Sequence, residues 1–286
     1  MLIVGCGDVG MRVVRALRNR FQLTVLSASG SRAAELHEHG VRVIKGDLDR
    51  PSSLRRLAGL AQRVLHLAPP PADAWVDPRT RALARALRLR APPNVLVYGS
   101  TSGVYGDCGG DLVSETRAVH ADTPRARRRI DAERTVRFLG LASGVRTSIL
   151  RIPGIYAPDR SNGTPRRRLL AGTPVLNEQD DVFTNHIHAD DLARACIAAL
   201  WRGRSQRVYN TNDDTRLKMG DYFDLAADLY GLPRPPRLAR DAARAELPLS
   251  MLSFMGESRR LDNTRLKREL RLVLRYPTVT EGLLGS

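Results

Sequence analysis

Three glycines, Gly5, Gly7 and Gly10, follow the apolar triplet Leu2-Ile3-Val4 at once and open a stretch, Val9–Arg20, whose apolar residues recur at helical spacing. A pyrophosphate binds such a turn when one glycine allows the tight bend, a second lets the backbone come close, and a third lets helix and strand pack together. Gly-x-Gly-x-x-Gly in this setting points to a dinucleotide site, with Asp8 and Val9 in the same turn. At the end of the second apolar run, a site for NAD would carry a carboxylate for the ribose hydroxyls. The chain has Leu26-Ser27-Ala28-Ser29-Gly30-Ser31-Arg32 there. Ser27 with Arg32 suits a 2′-phosphate, so the reading leans to NADP, with NAD as the alternative. Ser31 as a helix N-cap beside a surface Arg32 would explain the same residues without a ligand.

A second group of reactive side chains lies in PRARRRIDAE, Pro124 to Glu133. At about 100° per residue, Arg125, Arg129, Ala132, Val136 and Leu139 fall on one helical face, and Arg127 and Arg134 fall opposite. Arg125 and Arg129 are therefore expected to lead the apolar stripe toward a sheet while the other arginines face solvent. A guanidinium keeps its proton at any working pH and cannot serve as an acid. It can clamp a carboxylate, a phosphate or ribose hydroxyls, or merely cover the helix start beside Asp122 or Asp131. Cys108 lies in a glycine-rich loop with no evident base. Arg166, Arg167 and Arg168 could hold phosphates, or form a solvated charge run.

These residues need a scaffold, and the apolar pattern describes one. Short runs alternate with helical segments: Leu2–Val4, Leu23–Leu26, Val41–Ile44, Val64–Leu67 and Val95–Tyr98 are separated by Val9–Arg20, Ser31–His39, Ser52–Leu60 and Thr80–Leu89. That alternation implies an α/β fold with a doubly wound parallel sheet. After Val145–Leu150 the rhythm breaks into Pro-, Gly- and Arg-rich sequence, and it resumes at Phe183–Ile187, Asp190–Leu200 and Val208–Asn210. The expected organisation is a dinucleotide-binding domain over 1–158, a lobe insertion over 159–182, further sheet elements over 183–230, and a smaller C-terminal lobe over 231–286.

The chain of 286 residues carries a formal charge of +16, yet only three of its 46 basic residues are lysine, a bias that coding composition would also produce. No nucleic-acid motif or aromatic platform accompanies the charge, so nucleic acid is not the expected partner. Cys6, Cys108 and Cys196 are far apart and form no CxxC, which fits a reducing compartment. The start lacks the pattern of an export signal and no apolar run could span a membrane, so the expected location is cytoplasmic.

Further strings occur in order: KGDL at Lys45–Leu48, LHLAPP at Leu65–Pro70, VYGSTSGVYG at Val97–Gly106, ILRIPGIYAP at Ile149–Pro158, NHIHADDLA at Asn185–Ala193, VYNTNDD at Val208–Asp214 and LDNTRLKRELRL at Leu261–Leu272. Together they resemble the extended short-chain dehydrogenase/reductases, the NAD(P)-dependent epimerase/dehydratase family. The resemblance implies a seven-stranded Rossmann domain, a C-terminal lobe that binds substrate, and chemistry at C4 of a nicotinamide. It implies Asp47 and Leu48 on the adenine side, Leu67, Ala68 and Pro69 beside the nicotinamide ribose, Ser100 and Pro153 at the cofactor, and Thr101 orienting substrate. It also accounts for His186-x-His188 with Asp190 and Asp191 as a strand-to-helix element, so no metal is assigned. In that family a tyrosine and a lysine four residues later move the proton, the lysine lowering the phenol's pKa. Counting back from Glu133 puts Arg125 at the tyrosine position and Arg129 at the lysine position. No tyrosine lies between Tyr105 and Tyr156, and no lysine between Lys45 and Lys218. Tyr105, and with the same standing Tyr156, is then the nearest replacement acid, with packing as the favoured alternative for both. The expected function is an NAD(P)-binding oxidoreductase or epimerase/dehydratase-like enzyme with a non-standard proton donor; the alternative is a catalytically silent dinucleotide-binding redox sensor. A carbonyl or nucleotide-linked small molecule would be the substrate, and the oligomer is left open between monomer and homodimer.

Overall fold

The computed structural model describes residues 1–248, 252 and 255–284. The apolar runs form a seven-stranded sheet of β1 (Leu2–Val4), β2 (Thr24–Ser27), β3 (Arg42–Lys45), β4 (Arg63–His66), β5 (Val95–Thr101), β6 (Arg146–Ile152) and β7 (Arg207–Asn210). Its order is β7-β6-β5-β4-β1-β2-β3, and every pairing is parallel. The strand order reverses between β1 and β4, so the carboxyl ends of these strands diverge into a crevice.

Both faces of the sheet are covered, which is why its strands read as continuous apolar runs rather than alternating ones. On one face lie α1 (Asp8–Leu17) and α6 (Ala189–Arg202), whose Val13, Val14, Leu192 and Ala195 join Ile3, Leu65 and Val97 in one core. On the other lie α3 (Pro78–Leu87) and α4 (Pro124–Ser143), whose Leu83, Ala132, Val136 and Leu139 pack with Leu2, Leu96 and Tyr98. The short helix α2 (Ala33–Glu38) follows β2. The helix expected over Ser52–Leu60 is a 3-10 helix at Pro51–Leu57 instead, and Ser53 Oγ there hydrogen-bonds the Arg50 and Asp47 carbonyls.

A smaller apolar cluster gathers Leu169 of α5 (Arg166–Leu170) with Val175, Leu176, Val182, Ala243, Met255 and Val279. This lobe also takes Met219, Tyr222 and Phe223 of α7 (Met219–Tyr230), a segment that sequence grouping assigns to the sheet domain. Conversely Leu266, Leu270, Leu272 and Leu274 return to the large core, although the expected lobe runs over 231–286. Proline punctuation marks where the chain turns, not which core a helix's apolar stripe joins. Residues 249–251, 253, 254, 285 and 286 of that expected lobe lie outside the described residues. Among the described residues no helix is long and apolar enough to cross a membrane.

Candidate active site

The three glycines meet three different constraints. Gly5 has φ +86°, and a Cβ on it would lie 2.2 Å from the Ala68 amide nitrogen, so only hydrogen fits. A Cβ on Gly10 would press on Cys6 Sγ and the Gly5 carbonyl at 3.2 Å, where helix and strand close up. Gly7 meets nothing within 4 Å. It is the N-cap of α1 with no side-chain cap, leaving the first-turn N–H groups open toward that space. A turn with this space and these donors fits a dinucleotide pyrophosphate.

Asp8 puts a negative charge where an anion would sit, and the fold answers it with two cations. Arg12 bridges Asp8, Asp159 at 2.6 Å and Asp190 at 2.5 Å, and Arg160 reaches Asp8 at 3.0 Å while donating to the Ile155 carbonyl at 2.6 Å. Three acidic partners raise the Arg12 pKa against the opposing effect of burial.

A cleft of about 360 Å³ runs from this turn across the strand ends. It is lined by the expected Gly5, Gly7, Asp8, Val9, Gly10, Leu67, Ser100, Thr101, Arg125, Arg129 and Pro153. Arg160, Ile155 and Leu192 join them without having been singled out in the sequence. Ser27, Arg32, Asp47, Leu48, Ala68 and Pro69 lie outside that lining. Ser27 Oγ accepts from Gly30 N–H at 3.1 Å, and Arg32 reaches across to the Cys6 carbonyl at 3.4 Å. Asp47 Oδ1 accepts from Asp49 N–H at 2.9 Å, closing its own turn. Ala68 is buried and, with Leu48, packs into the α3/α4 core, and the Pro69 carbonyl accepts from Arg79.

Helix α4 carries its arginines in as the helical phase requires, with one exception. Arg129 donates to the Gly99 carbonyl at 2.7 Å and to Tyr98 Oη at 2.9 Å. Arg125 is exposed to the cleft beside Gly103, and partial burial with the nearby Arg129 and Arg259 lowers its pKa against the pull of Glu257. Arg128, expected among the solvent-facing arginines, is 9% exposed and donates to the Ala74 carbonyl at 2.9 Å. A long flexible side chain can turn back under a neighbouring loop, which helical phase alone cannot register.

Behind the strand ends, Glu133 and Arg151 form a buried ion pair at 2.8 Å. Ser100 Oγ donates to Glu133 at 2.7 Å, so this hydroxyl is committed away from the cleft. Thr101 Oγ1 accepts from Gly103 N–H at 3.2 Å and borders both this cleft and a neighbouring one of about 540 Å³ toward the lobe.

The proposed replacement acids fare differently. Tyr105 is 1% exposed, donates to Asn210 Oδ1 at 2.7 Å and lies under Arg151, so it lines neither cleft. Tyr156 borders the lobe cleft but donates to the Thr278 carbonyl at 3.2 Å. Burial pushes both phenols above the ordinary tyrosine range. The Cys108 thiol is buried and likewise raised by desolvation. His186 stacks on Tyr222 and His188 on Tyr276, and His188 Nδ1 accepts from Asp190 N–H, so both rings are packing elements. Burial drops His186 to about 3.

A parallel seven-stranded sheet with a glycine turn at its switch point and a small lobe over the strand ends defines a dinucleotide-binding α/β protein of the short-chain dehydrogenase/reductase type. The chain belongs to the NAD dependent epimerase/dehydratase family, whose model matches residues 1–211. A 3-diazoavenalumate denitrifying reductase from Streptomyces sp is 27% identical over 99% of this chain and 98% of the relative. A functionally unknown conserved protein from Silicibacter pomeroyi superposes with a TM-score of 0.84 at 29% identity, covering 99% of this chain and 96% of the other. UDP-glucose 4-epimerase from Thermotoga maritima, solved with UDP-glucose, superposes at 0.80 with 19% identity, covering 99% and 95%.

Proposed function

We propose that the chain is an NAD(P)H-dependent reductase whose substrate takes up hydride without needing a proton from a tyrosine. The observation that carries this reading is the pair of guanidinium groups, Arg125 and Arg129, at the cleft positions where the family's acid pair would stand. Neither can donate a proton in turnover. The tyrosines near the strand ends and the lobe cleft, Tyr98, Tyr105, Tyr156 and Tyr222, are all held above their ordinary range by burial.

Gly7 and the first turn of α1 would hold the pyrophosphate, with Leu67, Ile152 and Pro153 along the nicotinamide side. When bound, the nicotinamide would supply a hydride, which a substrate that sheds a leaving group with its bonding pair, as the carbon of an arenediazonium cation sheds dinitrogen, accepts with no anion left to protonate. Thr101 orients that substrate from the border of the two clefts. The name of the Streptomyces relative, a denitrifying reductase of a diazo compound, supports this class of reaction. The lean to NADP rests on Arg32 reaching the glycine turn and on Ser27, Ser29 and Ser31 where an NAD site would carry a carboxylate.

The test is single-turnover reduction, corrected for the enzyme-free rate, of an aryl diazonium salt against a panel of ketones and UDP-sugars. The diazonium is expected to be consumed, with deuterium carried from 4-deuterated cofactor to the vacated carbon and a solvent isotope effect of about 1. Ketone or sugar turnover with a solvent isotope effect above about 2 would sink the proton-free reading. Tight dinucleotide binding with no turnover of any substrate would favour the silent redox sensor. Arg32→Ala should weaken NADPH about tenfold or more and leave NADH unchanged.

A further inference from the structure

We infer that the lobe half of the cleft is built for an aromatic carboxylic acid, with Arg168 receiving the carboxylate on the lobe side and Thr101 facing the reacting end. This rests on reading the cleft as the substrate site of the reductase and names the class of molecule it takes. The floor of the 540 Å³ cleft is a wall of rings. His186 and Tyr222 lie 4.1 Å apart and 33° from parallel, Tyr156 meets His186 edge-on, and Phe183 and Phe223 complete the surface. A flat conjugated body suits such a wall by offset or edge contacts.

The charge around that wall is one-sided. Arg125, Arg160, Arg168 and Arg259 line the cleft, and Glu257 is the one carboxylate among the described lining residues. Glu257 is bound to Arg259 at 2.8 Å, and Arg160 is turned to Asp8. Arg168 projects from α5 with its guanidinium carbon 4.3 Å from the centre of the Phe223 ring, on the lobe side and outside the cofactor part of the cleft. Burial lowers its pKa. A nucleotide would bring a sugar and a base whose polar edges need partners. Of the two amides that line the cleft, Asn185 beside the rings is spent on the Arg259 carbonyl at 2.9 Å and on Leu261 N–H at 2.8 Å, and Asn162 lies in the loop before α5. One anionic group on a ring matches these groups better than a diphosphate between two polar bodies.

Calorimetric titration with cinnamate, methyl cinnamate and UDP-glucose, each with and without saturating NADP⁺, tests the assignment. Cinnamate is expected to bind at least tenfold tighter than its ester. Arg168→Gln should abolish that difference while leaving the ester unchanged, and Arg168→Lys should restore part of it; unchanged NADP⁺ affinity in both variants certifies the fold. Equal binding of acid and ester, no acid binding, an acid preference untouched in Arg168→Gln, or UDP-glucose binding tighter than cinnamate would each overturn it. If NADP⁺ does not bind but the acid preference and its dependence on Arg168 remain, the reductase reading falls and the carboxylate site stands.

Discussion

The two ends of the cleft are made in different ways. At the cofactor end the shape comes from backbone: a glycine at φ +86° against Ala68, an uncapped helix start at Gly7, and a close helix–strand approach at Gly10. At the lobe end it comes from long side chains: Arg168 over Phe223, Tyr222 against His186, and Arg259 fastened to Glu257 and the Gly106 carbonyl. Backbone geometry leaves no room for a side chain at Gly5 and little at Gly10. Side-chain geometry can be exchanged without disturbing the sheet, which makes it the place where specificity is free to vary.

The sharpest break in this contrast should come inside the glycine turn itself. Gly5→Ala would place a methyl 2.2 Å from the Ala68 nitrogen in a left-handed conformation. It should cost roughly 3 kcal/mol or more in urea unfolding. Gly7→Ala meets open space, so its stability should change by less than about 1 kcal/mol while dinucleotide affinity falls. Similar losses in both would show that the turn is not divided as described.

A smaller effect is expected behind the lobe wall. Asp213 donates its N–H to the His186 carbonyl at 2.8 Å, and its buried carboxyl has Oδ1 bonded to Thr215 N–H but Oδ2 without a hydrogen-bond partner. Burial raises its pKa from 3.8 to about 8. Between those values the unfolded chain binds fewer protons than the folded one, so this residue makes stability fall as pH rises, by on the order of a few kcal/mol in total. Urea unfolding across this range should show that slope, and Asp213→Asn should flatten it. A slope unchanged in the variant would assign it elsewhere.

The smallest effects separate the two kinds of arginine on α4. Arg128→Ala should cost about 1–2 kcal/mol because the Ala74 carbonyl loses its donor. Arg127→Ala, exposed and 6.0 Å from the Trp75 ring centre, should stay within about 0.5 kcal/mol. Thermal unfolding of the pair measures both.

The same division explains what was legible in the sequence. The seven strands announced themselves as apolar runs because a doubly covered sheet needs them, and Gly5, Gly7 and Gly10 because steric demands name one residue type. Arg125 and Arg129 were placed by helical phase. Arg160, Glu257, Arg259, Tyr222 and Phe223 carried no comparable signal: they come from distant segments with no period in common, and their meeting depends on how the lobe folds over the strand ends. Arg128 was misplaced because phase fixes a Cβ direction and not where four further bonds lead. The sequence does not show that Met219, Tyr222 and Phe223 join the lobe cluster, because an amphipathic stripe states that a helix buries one face and not against what.

Arg12 has one more consequence. It joins Asp8 in the glycine turn to Asp190 at the start of α6, a partner 178 residues further along the chain. At a synthesis rate of about 5–20 residues per second, the ribosome delivers that partner roughly 10–40 seconds after the turn has emerged. The glycine turn is thus made well before the residue that locks it, leaving its acidic residue without part of its counter-charge through that interval.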